Sequence, residues 1–159
     1  MKNLFIAIVT FCISSSAFAQ STIEKDLQGL WKMSEMNVGG ILANATTKEI
    51  KFTKELENKL TVEKRAAFNA NKQAFLDKIS GSRITFVGKK VNYSIVGTEK
   101  SGSYTLTPYA GAYILTVTED GDVSVRETMV IAIVNDELHM VNNDDKDKAE
   151  MIFKKIVIE

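Results

Sequence analysis

The sequence predicts an all-β protein: an eight-stranded up-and-down antiparallel barrel with an α-helical hairpin inserted between its first two strands, A and B. Three observations carry that expectation. From Arg83 onward, short runs rich in β-branched and aromatic residues alternate with compact turns. Between Thr46 and Ile79 the chain is rich in Lys, Glu, Ala and Leu and contains neither Gly nor Pro, the composition of helix. Ahead of both stands Leu27-Gln28-Gly29-Leu30-Trp31-Lys32, which holds the only tryptophan.

The amino terminus reads as an address. Lys2 precedes an apolar run from Leu4 to Ile13, too short to span a bilayer, and Ala17-Phe18-Ala19 offers a small-x-small cleavage site. Residues 1–19 are expected to be a signal peptide, and residues 20–159 one exported domain, periplasmic or secreted, of a bacterial protein. Phe11 stands before Cys12, where a lipoprotein signal would place a small residue, so release is expected and not lipid anchoring. Cys12 is the only cysteine, so the domain after the leader has neither a disulfide nor a thiol nucleophile. The 20 basic and 20 acidic residues balance, and no strong field favours nucleic acid. No later apolar run is long enough for a membrane helix.

Strand A is expected from Leu27 to Val38. Extended backbone puts Gly29 and Trp31 on one face. The bare glycine admits a close neighbour, and the indole plugs one end of the barrel. Gly39-Gly40 breaks the strand. Thr46 with Glu49 fits a capping box, and Phe52, Leu56 and Leu60 give a first helix one apolar stripe. Thr61 caps a second helix that lines up Phe68, Phe75, Leu76 and Ile79, and Ser80-Gly81 ends it. The helical insert thus spans 46–80. The remaining strands are B (Arg83 to Val87), C (Lys90 to Val96), D (Ser103 to Thr107, ended by Pro108) and E (Ala112 to Thr118). Strand F runs from Val123 to Val134, G from Glu137 to Val141 and H from Ala149 to Ile158. Short links force antiparallel neighbours, and such a meander removes its edges by closing.

Gly29-x-Trp31 within Leu27 to Lys32, followed by this meander, resembles the lipocalins and the wider calycin group, most of all the short lipocalin-like domains of bacterial secreted proteins. The strands around Tyr104 to Leu106 and Leu138 to Met140 are similar as well. The resemblance implies a barrel that binds a small hydrophobic or amphipathic molecule. Lipocalins often set a late arginine against the tryptophan. No arginine follows Arg126, so Lys154 or Lys155 has to serve here. The paired helices between strands A and B resemble the helix-turn-helix over the mouth of fatty-acid-binding proteins.

Candidate cavity-lining residues are Phe86, Tyr93, Tyr104 and Tyr113, which fall on successive strands, together with Met129 and His139. Tyrosines inside a barrel offer an apolar wall with a polar tip; alternatively they fill the barrel. His139, the only histidine, has no His or Cys partner for a metal, and a structural or surface role is preferred. Asp144, Asp145 and Asp147 lack the ligand spacing of a calcium loop and read as a solvated turn. No catalytic constellation stands out, so neither enzyme activity nor a cofactor is expected. Strands F and H are apolar on both faces, with Val130, Ala132 and Val134 backing F and Ile152, Ile156 and Ile158 backing H. Either the helical hairpin or a second chain, as in a homodimer, is expected to cover that wall. The helices can instead close the mouth, and that placement is favoured. An interaction module with a filled barrel is the alternative to a carrier.

Overall fold

Along the long strands, buried side chains recur at every second position, so that one face turns to a common core. The computed structural model describes residues 22–124, 126–142 and 148–157. The expected signal peptide and the aspartate-rich turn lie outside these residues.

The chain opens with a short helix, α1 (22–27), and continues through β1 (Gly29–Val38), β2 (Ile41–Asn44) and β3 (Glu49–Phe52). Helices α2 (Lys54–Lys59) and α3 (Val62–Gly81) follow. Then come β4 (Arg83–Val87), β5 (Lys90–Ile95), β6 (Thr98–Tyr109) and β7 (Ala112–Glu119). The last strands are β8 (Arg126–Val134), β9 (Glu137–Asn142) and β10 (Ala149–Ile156). Strands β4 to β10 form an antiparallel meander, and β10 returns to pair with β1 from Leu30↔Ile156 to Val38↔Ala149. The result is a closed barrel of eight antiparallel strands, compatible with a calycin-like fold. The β2–β3 hairpin and the helices ahead of β4 depart from a clean lipocalin order.

Four expectations are corrected. Strand A does not begin at Leu27: residues 22–27 are helical, and the turn into β1 is made at Gly29, whose φ of +109° excludes most other residues. The stretch from Thr46 to Phe52 is not helix. Asn44 Oδ1 accepts hydrogen bonds from the amides of Thr46 and Thr47, making a polar turn, and Ile50 and Phe52 alternate with Glu49 and Lys51 in a strand. The N-caps are Thr53, whose Oγ1 accepts from the Leu56 amide, and Thr61, whose Oγ1 accepts from the Lys64 amide. Third, strand D is longer at both ends: it starts at Thr98, and Pro108 does not stop it. The tight turn through Ala110 and Gly111 pairs Tyr109 with Ala112, so the proline nitrogen faces away from β7. That side of β6 is clear of β5, which pairs only with Thr98 to Ser103. Finally, strand F starts at Arg126 and not Val123, because Asp122 and Ser124 close a local turn through the Asp122 carboxylate.

A β-bulge shapes the upper half of the molecule. The β1–β10 register shifts between Met33 and Glu35, at Ser34. Before the bulge β1 pairs with β4, through Gly29 to Lys32; beyond it β1 pairs with β2, through Glu35 to Val38. The β2–β3 hairpin therefore branches from the barrel wall. The last turns of α3 pack at the branch, with Ile79 fully buried, and α3 contacts mainly β1, β5 and β2. The helices thus cover the branched upper end and are not centred on the outer wall of β8 and β10.

Trp31 closes the opposite end. It is 1% exposed, and its Nε1 donates to the Leu27 carbonyl at 2.7 Å, which ties the strand to α1. Lys155 places its Nζ 5.2 Å from the indole centroid and donates to the Asp26 carbonyl at 2.7 Å. Lys155 therefore occupies the place that the resemblance assigns to a late arginine. Glu24 pairs with Lys89, and Gln28 donates to Tyr104 Oη at 3.2 Å and accepts from the Gly88 amide at 2.7 Å. These polar contacts around α1 seal this end.

Candidate functional site

The inward face of the barrel is filled by large side chains. Trp31, Met33, Ile84, Phe86, Tyr104, Leu115, Ile131, Leu138, Met140 and Phe153 are each at most 2% exposed. Phe86 and Tyr104 meet edge to face with centroids 5.2 Å apart. Of the residues expected to line a cavity, Phe86, Tyr93, Tyr104 and Met129 are buried in this core, and Tyr113 packs against it half-buried. His139 lies between Leu138 and Met140, both buried, and so faces outward. Gly29 and Trp31 belong to the closed end described above.

Near the upper end the inward face changes character. Tyr93 Oη donates to Glu127, and Lys100 donates to the same carboxylate while lying 3.7 Å from Glu119 Oε2. These residues stand where β5, β6, β7 and β8 place Val91, Gly102, Val117 and Met129 one step further down. Burial pushes the Tyr93 hydroxyl well above its ordinary value, and the adjoining Glu127 charge adds to that. For Glu127, burial acts upward, but hydrogen bonds from Lys100 and Tyr93 outweigh it and hold the carboxyl below its ordinary value. The cluster is a satisfied ion pair capped by a tyrosine. The signal for it in the sequence is Glu127, which interrupts an otherwise apolar alternation in β8.

One stretch of concave surface lies on the outside. A groove of about 510 Å³ crosses β9, β10, β1, β2 and β3. Two cross-strand rows form it. One row runs Val141–Glu150–Asn37–Leu42–Lys51 and the next His139–Ile152–Glu35–Asn44–Glu49, each residue paired with its neighbour. Leu42, Val141 and Ile152 supply apolar surface. His139, Asn37, Asn44 and Thr47 supply hydrogen-bonding groups, and Glu35, Glu49, Glu150 and Lys51 the charges. Asn44 Nδ2 donates to Glu35 Oε1 at 3.0 Å, fixing both at the centre of the second row. The groove exists because the bulge at Ser34 lets β2 and β3 leave the barrel's curvature. The sequence shows Ile152 and Leu42 only as apolar residues; the register shift that sets β1 and β2 against β10 with both on one outer face has no sequence marker.

A second hollow of about 450 Å³ lies over β4 to β6 at the upper end and reaches round to the inward-facing Tyr93, Lys100 and Glu119. Arg83, Thr85, Asn92, Ser94, Glu99, Ser101 and Asp120 complete its walls; Asp120 is already paired with Lys90 at 2.6 Å, and Tyr93 and Lys100 with Glu127. It lacks the apolar surface that ligand sites of this size depend on. Among the described residues, no group of three or more His, Cys, Asp or Glu is placed to hold a metal ion, and no helix is long and apolar enough to cross a membrane. Neither the protein-family models nor the curated proteins include a match to this chain.

Proposed function

We propose that this chain is an exported lipocalin-like binding protein for a small hydrophobic or amphipathic molecule, with the barrel as a filled scaffold and the external groove as the site. It binds without chemical conversion. The carrying observation is the contrast between an inward face packed with buried side chains and a groove of about 510 Å³ that combines Leu42, Val141 and Ile152 with His139 and Asn37. Ligand pockets commonly measure about 300–1,000 Å³ and join apolar walls to a few polar groups, as this groove does.

The test is native mass spectrometry of freshly purified protein, followed by titration with an environment-sensitive apolar dye. Wild type is expected to enhance dye emission, and Leu42→Glu and Ile152→Glu to abolish the enhancement while the fold is kept. Dye binding that ignores both substitutions but disappears on Glu127→Gln would move the site to the barrel mouth and overturn this reading.

A second reading is an interaction module that binds another protein. It is favoured by the apolar outer face beyond the groove, where Val134 is 47% and Ile156 39% exposed. Absence of any small adduct, with a protein partner lost on Val134→Lys, would select it.

A further inference from the structure

Strand β3 is the last strand of the sheet, and nothing among the described residues pairs with its outer side. Its hydrogen-bonding phase is fixed by the Thr53 amide, which donates to the Gly40 carbonyl at 2.8 Å. That bond makes Ile41 and Phe52 a non-hydrogen-bonded pair, so Glu49 and Lys51 turn their amides and carbonyls toward β2. Ile50 and Phe52 therefore present theirs to the free side. An unpaired edge is a template for another strand.

The side chains of β3 say which strand fits. Glu49 and Lys51 share the outer face, carry opposite charges and are exposed by 58% and 72%, with an ion pair of 3.2 Å between them. We propose that β3 pairs antiparallel with β3 of a second copy of this chain, about a two-fold axis through Ile50. In that register Ile50 exchanges both backbone hydrogen bonds with the partner's Ile50. Glu49 then stands opposite the partner's Lys51, and Lys51 opposite the partner's Glu49, in the close, non-hydrogen-bonded positions where side chains interact most. Ile50 meets its equivalent on the inner face, beside Phe52, which is already held edge to face by Phe68 at 4.9 Å. Shifting the axis to Lys51 sets two lysines against each other. The charges therefore select one register and one partner. The dimer joins the two grooves along their β3 rims into one continuous outer face, and it does not depend on what the grooves bind.

Sedimentation velocity from micromolar to millimolar protein tests the proposal. Wild type is expected to move from monomer to dimer across this range, and the Ile50 amide to gain protection from hydrogen exchange as concentration rises. Glu49→Lys alone and Lys51→Glu alone each turn two attractions into two repulsions and are expected to weaken association by about tenfold or more. The double reversal is expected to restore it. An equimolar mixture of the two single variants is expected to form the heterodimer, because each then offers one uniform charge to the other. Both positions lie on the exposed outer face, and circular dichroism checks that the fold is kept. A wild type that stays monomeric to millimolar concentration, or a dimer indifferent to all four charge arrangements, overturns the proposal.

Discussion

Ser82 joins three segments at the point where helix gives way to barrel. Its Oγ donates to the Lys78 carbonyl at 2.9 Å and accepts from the Val96 amide at 2.9 Å, while its own carbonyl accepts from the Met33 amide at 3.0 Å. The side chain is almost wholly buried. Val96 takes a φ of +52°, unfavourable for a β-branched residue, and the bond from Ser82 holds it there. Ser82→Ala leaves the half-buried Val96 amide without its partner, and chemical denaturation should register a loss of about 1–2 kcal/mol. At the other end, Trp31→Ala removes the largest buried plug. It should cost about 3–5 kcal/mol, with wild-type emission that of an indole shielded from water. Glu127 supplies a pH signature. Its carboxyl is held below its ordinary value of 4.5 in the folded protein, so the stabilisation is present above that value and fades as pH falls through the lower, folded one. Glu127→Gln should flatten the acid limb of a stability-against-pH curve.

Among the elements, α3 is unequal along its length. Residues 62–64, 66 and 67 are exposed, whereas Leu76 and Ile79 are buried at the branch. The hold of the helix on the barrel is therefore concentrated in its last turns. Ile79→Ala should destabilise by about 2–5 kcal/mol, as for other fully buried aliphatic truncations. Replacing 46–80 by a short linker should likewise destabilise the whole barrel, and a variant as stable as wild type would show the helices to be dispensable. The strands from β4 onward are legible in the sequence because Ile84/Phe86, Val91/Tyr93, Leu115/Val117 and Leu138/Met140 each repeat with period two between turn residues. The β2–β3 hairpin is not, because Thr46 and Glu49 imitate a helix cap and four-residue strands carry too little alternation to outweigh it. Helix α1 is hidden for a similar reason: its six residues hold a single apolar pair, Ile23 and Leu27. The groove is illegible because it depends on a register shift between β1 and β10, strands more than a hundred residues apart in the sequence.

That distance also governs how the whole molecule assembles. Closing the barrel requires Leu30 to find Ile156, a contact between the two extremes of the described chain, whereas every neighbouring pair from β4 to β10 is local. Topologies that end on such a contact lose loop entropy before gaining the seam, and all-β domains of this kind fold in milliseconds to seconds. Stopped-flow refolding followed by Trp31 fluorescence should show that range, since the indole sits at the seam. Completion within about a hundred microseconds would contradict this account of the seam.

The bond from Lys155 to the Asp26 carbonyl has a topological corollary. It holds the first and last described segments side by side, so a short polar linker can connect residue 157 to residue 22 without crossing the molecule. New termini can then be opened between Gly121 and Asp122, which lie in the exposed turn between β7 and β8. A circular permutant made this way turns the long-range seam into a hairpin and the β7–β8 pairing into the closing step. The same native fold is then reached by a reordered route, with β1 and β10 zipping first around the lysine–tryptophan contact.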